Sequence, residues 1–184
     1  RLDNGVPAGQ KCLMASSRTV PIAAPNPAGE TPLAADPVAL AILRGTSRML
    51  IDAGLTPISE FSLPNGRRAD IAAIDRDGTL TIVEIKSSLA DFRSDQKWTE
   101  YAGYCDRFYF AVTPEFPRHF LPDDCGLILA DRYAAEILRP AKPAPPLAPA
   151  RRKVLTLRFA RTAALRLAAT IDPALKVRSE AKEI

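Results

Sequence analysis

The spacing of apolar residues changes from helical to strand-like near residue 57, and this change defines the first elements of the chain. Apolar residues recur at helical spacing over 37–53 and stop at Gly54, which predicts a first helix with Asp36 as N-cap and Pro37 as its first residue. Asn-Gly and Asp-Gly steps between the next apolar runs favour tight hairpins. They predict a three-stranded antiparallel meander over residues 58–63, 68–75 and 79–86.

A second helix and three further strands complete the predicted core. Aromatic and apolar residues over 91–104 share one helical face, which predicts a crossover helix leading to a strand at 107–113. Two later apolar runs, at 127–130 and 134–138, predict short strands. The order helix, three strands, helix, strand predicts an α/β fold with a mixed central sheet flanked by helices.

Proline-rich segments divide the chain around this core. Residues 1–35 hold five scattered prolines, which predicts a flexible N-terminal extension before a folded domain over 36–139. Residues 140–150 contain five prolines and four alanines, as in a stiff, extended linker. A basic C-terminal helix and tail are predicted to follow over 151–184.

Charge is distributed unevenly along the chain, although the net charge is only +4. Residues 36–139 carry 12 basic and 16 acidic side chains (−4), whereas residues 140–184 carry 10 and 3 (+7). An acidic middle suits a cation site and a basic tail suits a polyanion such as DNA. At 100° per residue, one arc of about 80° on the last helix carries three arginines. They are Arg151, Arg158 and Arg166, and the opposite, apolar side comprises Val154, Leu157, Leu165 and Ala168.

The third predicted strand carries two charged side chains on an apolar face. Residues two apart in a strand project to the same side, so Glu84 and Lys86 share a face with the apolar residues before them. Burying these charges costs free energy unless they are paired or bind a metal. Asp70 lies on the neighbouring strand of the hairpin. Two adjacent carboxylates with a lysine predict a divalent cation site that could hydrolyse a phosphodiester.

Two points stay open at this stage. Glu84 and Lys86 could form a simple ion pair at a strand end, since this motif also occurs by chance. Glu60 could add a third carboxylate ligand, depending on the hairpin register: a two-residue loop pairs Phe61 with Asp70 and turns Glu60 away, whereas a three-residue loop brings Glu60 to the face of Asp70.

The element order and the Asp, Glu-x-Lys spacing resemble the core of the PD-(D/E)XK nucleases. Across residues 60–139 the sequence more narrowly resembles the MmcB family of bacterial DNA repair proteins. The resemblance rests mainly on Arg67-Arg68-Ala69-Asp70, Val83-Glu84-Ile85-Lys86-Ser87-Ser88, Ala90-Asp91-Phe92 and Lys97-Trp98. It implies a restriction-endonuclease-like fold and a part in DNA repair. The assigned activity of the family is inferred largely from its fold.

The resulting prediction is a DNA repair protein that hydrolyses DNA with Mg²⁺ or Mn²⁺. Asp70 and Glu84 would be metal ligands and Lys86 would assist the water. The alternative is a DNA-binding repair accessory that keeps the fold and cuts little or not at all. A third possibility is an interaction module with an accidental motif, which predicts no DNA binding. Basic residues near the predicted site are candidate DNA contacts, with solvated side chains as the alternative: Arg67, Arg68 and Lys97.

Other functional classes find little support in the sequence. His119 is the single histidine, so a Ser-His-Asp or Cys-His site would have no other histidine to use. No phosphate-binding glycine-rich loop is present. No apolar run is long enough to span a membrane. Three widely spaced cysteines predict reduced thiols, and with DNA as the partner we expect a cytoplasmic, nucleoid-associated protein.

Overall fold

A computed structural model describes residues 37–95, 97–142 and 144–175. The predicted N-terminal extension, Asp36 and the tail after residue 175 lie outside this part of the chain. Pro37 occupies the N-cap of the first helix and not its first turn. The described helices are α1 (Val38–Asp52), α2 (Leu89–Ser94) and α3 (Pro149–Ile171), and the strands are β1 (Thr56–Ser62), β2 (Arg68–Ile74), β3 (Leu80–Lys86), β4 (Arg107–Val112), β5 (Gly126–Ala130) and β6 (Ala135–Arg139).

The six strands form one mixed sheet in the order β1-β2-β3-β4-β5-β6. The first three strands are antiparallel, as the turn residues predicted. β4 runs parallel to β3 and β5 runs parallel to β4, because each is reached by a crossover, and β6 returns antiparallel. The predicted fold class, an α/β restriction-endonuclease-like core with a mixed sheet flanked by helices, is confirmed.

The crossover between β3 and β4 is broken, whereas a single helix was predicted over 91–104. α2 ends at Ser94, and a 3₁₀ helix covers Lys97–Tyr104. Asp95 lies between them with extended backbone, and its carboxylate accepts a hydrogen bond from the backbone N–H of Lys97. An aspartate that caps the next element in this way competes with helix continuation. The break also points the Asp95 side chain at β3.

Helices cover both faces of the sheet. On one face, Ile42 of α1 packs with Ile71 of β2 and Val83 of β3. On the other face, Ala72 and Ile82, the neighbours of those strand residues, pack with α3 and the 3₁₀ helix. Because successive strand residues point to opposite faces, the sheet separates two apolar layers. β3 is buried along its whole length, so any polar group on it lies inside the protein.

The C-terminal helix is part of the folded unit and is not held apart by the proline-rich linker. Leu155 and Phe159 of α3 are buried, and the ring of Phe159 lies 5.8 Å from that of Phe61 on β1. The predicted apolar side was only partly right: Val154 and Leu157 are 44% and 54% exposed, whereas Leu165 and Ala168 are half-buried. The side of α3 that contacts the sheet instead carries Leu155 and Phe159, because the helix also docks through polar contacts.

The main polar contact of α3 is an ion pair that the sequence did not suggest. The Arg152 guanidinium donates to both carboxylate oxygens of Asp106, at 2.8 and 2.7 Å, and to the carbonyl of Gly78. The buried side chain of Leu147 in the linker packs in the same core cluster. Within the described ranges, no helix is long and apolar enough to cross a membrane.

Candidate active site

The end of β3 places a carboxylate and an ammonium in the protein interior. Glu84 and Lys86 are 4% and 2% exposed, and they follow the fully buried Leu80 and Ile82 on the same side of the strand. β4 runs beside them in parallel, with Glu84 opposite Phe110. Both charged groups therefore lie in the protein interior, as the sequence predicted.

Asp70 on β2 reaches the same point from the neighbouring strand. Its carboxylate accepts a 2.8 Å hydrogen bond from the backbone N–H of Ile85, the residue after Glu84. Burial raises the pKa of Asp70, although the Ile85 bond and the charge of Lys86 oppose this. The charges of Glu60 and Asp91 also raise the pKa of Asp70, and the charge of Asp70 is the second cause, after burial, of the raised pKa of Glu84. Asp70, Glu84 and Lys86 therefore line the same cleft, and their roles as site residues stay a prediction.

Glu84 is the most perturbed carboxyl group of the site. Burial, followed by the charge of Asp70, raises its pKa to about 8. One oxygen, Oε1, accepts a bond from Lys86 Nζ at 3.3 Å. The other, Oε2, is buried and accepts no hydrogen bond from the described residues, although a hydrogen bond with Glu84 is among the causes that lower the pKa of Asp95. A buried acceptor without a partner is costly, so this atom marks a place for a proton or a cation.

Lys86 is held by a second carboxylate that sequence analysis did not assign to the site. Its Nζ lies 2.8 Å from Asp95 Oδ2, beside the longer contact with Glu84. Burial lowers the pKa of Lys86, but the bond to Asp95 and the charge of Glu84 outweigh it, so the pKa is raised. Lys86 therefore stays charged. The sequence signal for Asp95 was an acidic residue inside the predicted helix 91–104, two positions before Lys97.

These groups line an open cleft of about 430 Å³ between strands β1 to β3, α2 and the start of α1. Asp91 belongs to the cleft and also anchors α2, since its carboxylate accepts bonds from the Ser87 backbone N–H and hydroxyl. The apolar wall comes from α1. The ionisable lining residues are Glu60, Asp70, Glu84, Lys86, Asp91 and Asp95, five carboxylates against one ammonium.

Glu60 lies opposite Asp70, in agreement with the three-residue hairpin loop and not with the two-residue one. Phe61 pairs with Ala69, and Leu63 N–H donates to the Arg67 carbonyl across Pro64-Asn65-Gly66. Glu60 lines the cleft, and its carboxylate contacts the Arg68 guanidinium at 2.6 Å. Whether Glu60 binds a metal stays a prediction.

The donor set fits a hard cation only in part. Among the described residues, no group of three histidine, cysteine or acidic side chains is arranged to hold a metal ion. Asp70 and Glu84 nevertheless line one cleft, and the buried Oε2 of Glu84 is the kind of atom that a cation would satisfy. Two carboxylates with water and phosphate oxygens are a common ligand set for Mg²⁺.

The predicted DNA contacts near the hairpin and the 3₁₀ helix are mostly paired within the protein. Arg67 donates two hydrogen bonds to Glu100, at 2.8 and 2.7 Å, and Arg68 pairs with Glu60. Lys97 is exposed. DNA contact by these residues stays a prediction, and it would require Arg67 to leave its carboxylate.

The three arginines on α3 have different environments. Arg151 donates to the Gly103 carbonyl at 2.9 Å and lies over the Tyr104 ring. Arg158 is half-buried. Arg166 donates to the backbone carbonyls of two residues in β1. Because two of the three contact backbone groups of the domain, they do not simply form a solvated stripe facing away from it.

A family model described as "DNA repair protein MmcB-like" matches residues 26–174. The chain belongs to the MmcB-like family. The match includes the whole sheet, the candidate site and all of α3, so the helix belongs to the family's domain. A solved structure of a protein of unknown function from Silicibacter pomeroyi, SPO1766, is similar to this MmcB-like chain with 42% identity and a TM-score of 0.75. The match covers 80% of this chain and 100% of that one.

Two other comparisons add less. A repair endonuclease from Pyrococcus abyssi matches with 17% identity and a TM-score of 0.27, covering 39% of this chain and 37% of that one. That likeness is too low to support an argument. No curated protein matches the sequence.

Proposed function

We propose that this MmcB-like protein hydrolyses DNA phosphodiester bonds during repair, with Mg²⁺ or Mn²⁺ held by Asp70 and Glu84. The observation that carries the proposal is the buried, partnerless Oε2 of Glu84 beside Asp70 in an open cleft. A protein that needed only an ion pair at this strand end would have no reason to bury a second carboxylate against it. The family's role in DNA repair makes DNA the expected substrate, and for that role we expect a cytoplasmic, nucleoid-associated location.

Each residue has a distinct task in this proposal. The cation would be held by the two carboxylates, with Glu60 as a candidate third ligand, and it would supply an activated water and neutralise phosphate charge. Lys86, fixed by Asp95 at 2.8 Å, presents a permanent positive charge that can orient water or offset charge on the phosphate. The proton on Glu84 must leave before the carboxylate can act as a ligand.

A non-cleaving, DNA-binding accessory is the second candidate function, and one observation favours it. Lys86 contacts both Glu84 and Asp95, so its ammonium could serve only to neutralise buried carboxylates. In that case DNA would bind without being cut. Arg67, Arg68, Lys97, Arg151 and the remaining basic residues of α3 would be candidate contacts for either function.

A cleavage assay separates the two functions. The protein is incubated with labelled duplex, single-stranded, flap and junction DNA in Mg²⁺ and in Mn²⁺, beside Asp70→Ala and the exposed-site control Glu136→Gln. We expect cleavage of at least one substrate by the wild type and the control, and none by Asp70→Ala. Binding without cleavage in every combination would support the accessory, and equal cleavage by Asp70→Ala would place the chemistry elsewhere.

A further inference from the structure

β1 departs from regular strand geometry at Glu60. Its φ is 51°, and it is the one non-glycine residue with positive φ among the residues that the structure describes. A glutamate in this left-handed region is strained, because its Cβ crowds the backbone. The pairs on either side, Ser59 with Ile71 and Phe61 with Ala69, keep the same register, so no residue is inserted. The irregularity is confined to Glu60, opposite Asp70.

The side chains around Glu60 show what this irregularity does. Ile58 and Phe61 pack in the same core cluster, as do Ala69 and Ala72 on the facing strand. Residues three apart in a regular strand point to opposite faces. Both strands therefore change the face to which their side chains point, at the position where Glu60 lies opposite Asp70. This change of face, called the step below, lets Phe61 enter the core while Glu60 and Asp70 line the cleft.

Arg166 of α3 binds the backbone at this step. Its guanidinium donates to the Ser59 carbonyl, and to the Glu60 carbonyl at 2.9 Å. The planar fork of an arginine can hold two adjacent carbonyls at once, which the single ammonium of a lysine does less well. A strained residue persists only where its surroundings fix it. Arg166 supplies such a constraint from a helix more than 100 residues further along the chain.

We propose that Arg166 is a positioning residue, which holds Glu60 in its left-handed conformation so that its carboxylate, paired with Arg68 at 2.6 Å, lines the cleft together with Asp70. This inference rests on the proposed function, because it gives Glu60 a part in cation binding. It also gives α3 a function that its basic composition did not suggest: the docked helix completes the acidic cleft. Removing a partner that orients a metal ligand typically weakens metal affinity about 10-fold or more.

The first test is structural and needs no metal. A crystal structure of Arg166→Ala should show Glu60 with negative φ and its carboxylate withdrawn from Asp70. Lys153→Ala, which removes one exposed basic side chain from the same helix, should leave Glu60 unchanged. If Glu60 keeps its positive φ without Arg166, the proposal is wrong.

The second test measures Mn²⁺ affinity by calorimetry in a double-mutant cycle. Arg166→Ala and Glu60→Gln should each weaken binding about 10-fold, and the double variant should be no weaker than either, because both act through one carboxylate. Arg166→Lys should be intermediate. Additive losses, or an unchanged affinity in Arg166→Ala, would reject the inference. Failure of the wild type to bind Mn²⁺ would instead reject the proposed function, and the crystal structure would still decide the role of Arg166.

Discussion

Replacing Glu84 by glutamine should change how the stability of the metal-free protein depends on pH. The pKa of Glu84 is raised from 4.5 to about 8 by burial and by Asp70. A carboxyl group with a raised pKa binds its proton more tightly in the folded state than in the unfolded one. Stability is therefore lost as pH rises from about 4.5 through about 8. Glutamine, which has no proton to lose, removes this dependence.

The magnitude follows from the size of the shift. One pKa unit corresponds to about 1.4 kcal/mol, so a shift from 4.5 to about 8 gives at most about 5 kcal/mol between the acid and alkaline limits. The retained ion pair of Lys86 with Asp95 is common to both proteins. The glutamine side chain can still accept from Lys86 through its amide oxygen. We expect Glu84→Gln to gain stability over wild type steadily from pH 5 to pH 8, by about 2 kcal/mol or more at the upper end.

Urea unfolding in EDTA at pH 5, 6, 7 and 8 measures the difference directly. Glu136→Gln, an exposed glutamate on β6, is the control and should change the free energy of unfolding by less than about 0.5 kcal/mol at every pH. A stability difference between Glu84→Gln and wild type that does not vary with pH would refute the assignment of a raised pKa to Glu84. A difference that shrinks with rising pH would mean that folding lowers the pKa of Glu84 and does not raise it.

Three further predictions concern the cation, the helix and the tail. Mn²⁺ should raise the melting temperature of the wild type by mass action, whereas Asp70→Asn should be as stable as wild type or more stable without metal and should show no rise; a retained rise would place the cation elsewhere. Phe159→Ala should lower the free energy of unfolding by about 3–5 kcal/mol, because the ring is buried against β1, and a loss under 1 kcal/mol in urea unfolding would contradict the docking of α3. Neutralising Arg151, Arg158 and Arg166 should weaken DNA binding and make its logarithmic salt dependence shallower by up to about 0.9 per lost contact, and an unchanged slope in binding titrations would limit these arginines to structural contacts.

The sequence predicted the strands well because each one has a strong local signal. Asn65-Gly66 and Asp77-Gly78 specify turns, and both Gly66 and Gly78 have positive φ in the structure. The apolar residues Leu80 and Ile82, on the same face of β3, predicted that Glu84 and Lys86 would be buried. These signals are local, so a single sequence is enough to interpret them.

The features that were missed depend on contacts between distant parts of the chain. Asp95 joins the site because Lys86, nine residues earlier, needs a counter-charge. The orientation of α3 follows from Arg152 binding Asp106 and from Phe159 meeting Phe61, and helical periodicity alone does not contain either contact. Periodicity instead favoured a face that is partly exposed.

The central claim is that Asp70 and Glu84 share one hard cation, and diffraction from crystals soaked in Mn²⁺ tests it most directly. Data collected near the manganese absorption edge should show one anomalous peak within about 2.0–2.6 Å of an oxygen of each carboxylate, including Oε2 of Glu84. Crystals of Asp70→Asn treated in the same way should lack the peak. A well-ordered wild-type crystal with no anomalous density between these two side chains, or with a peak bound elsewhere, would contradict the account.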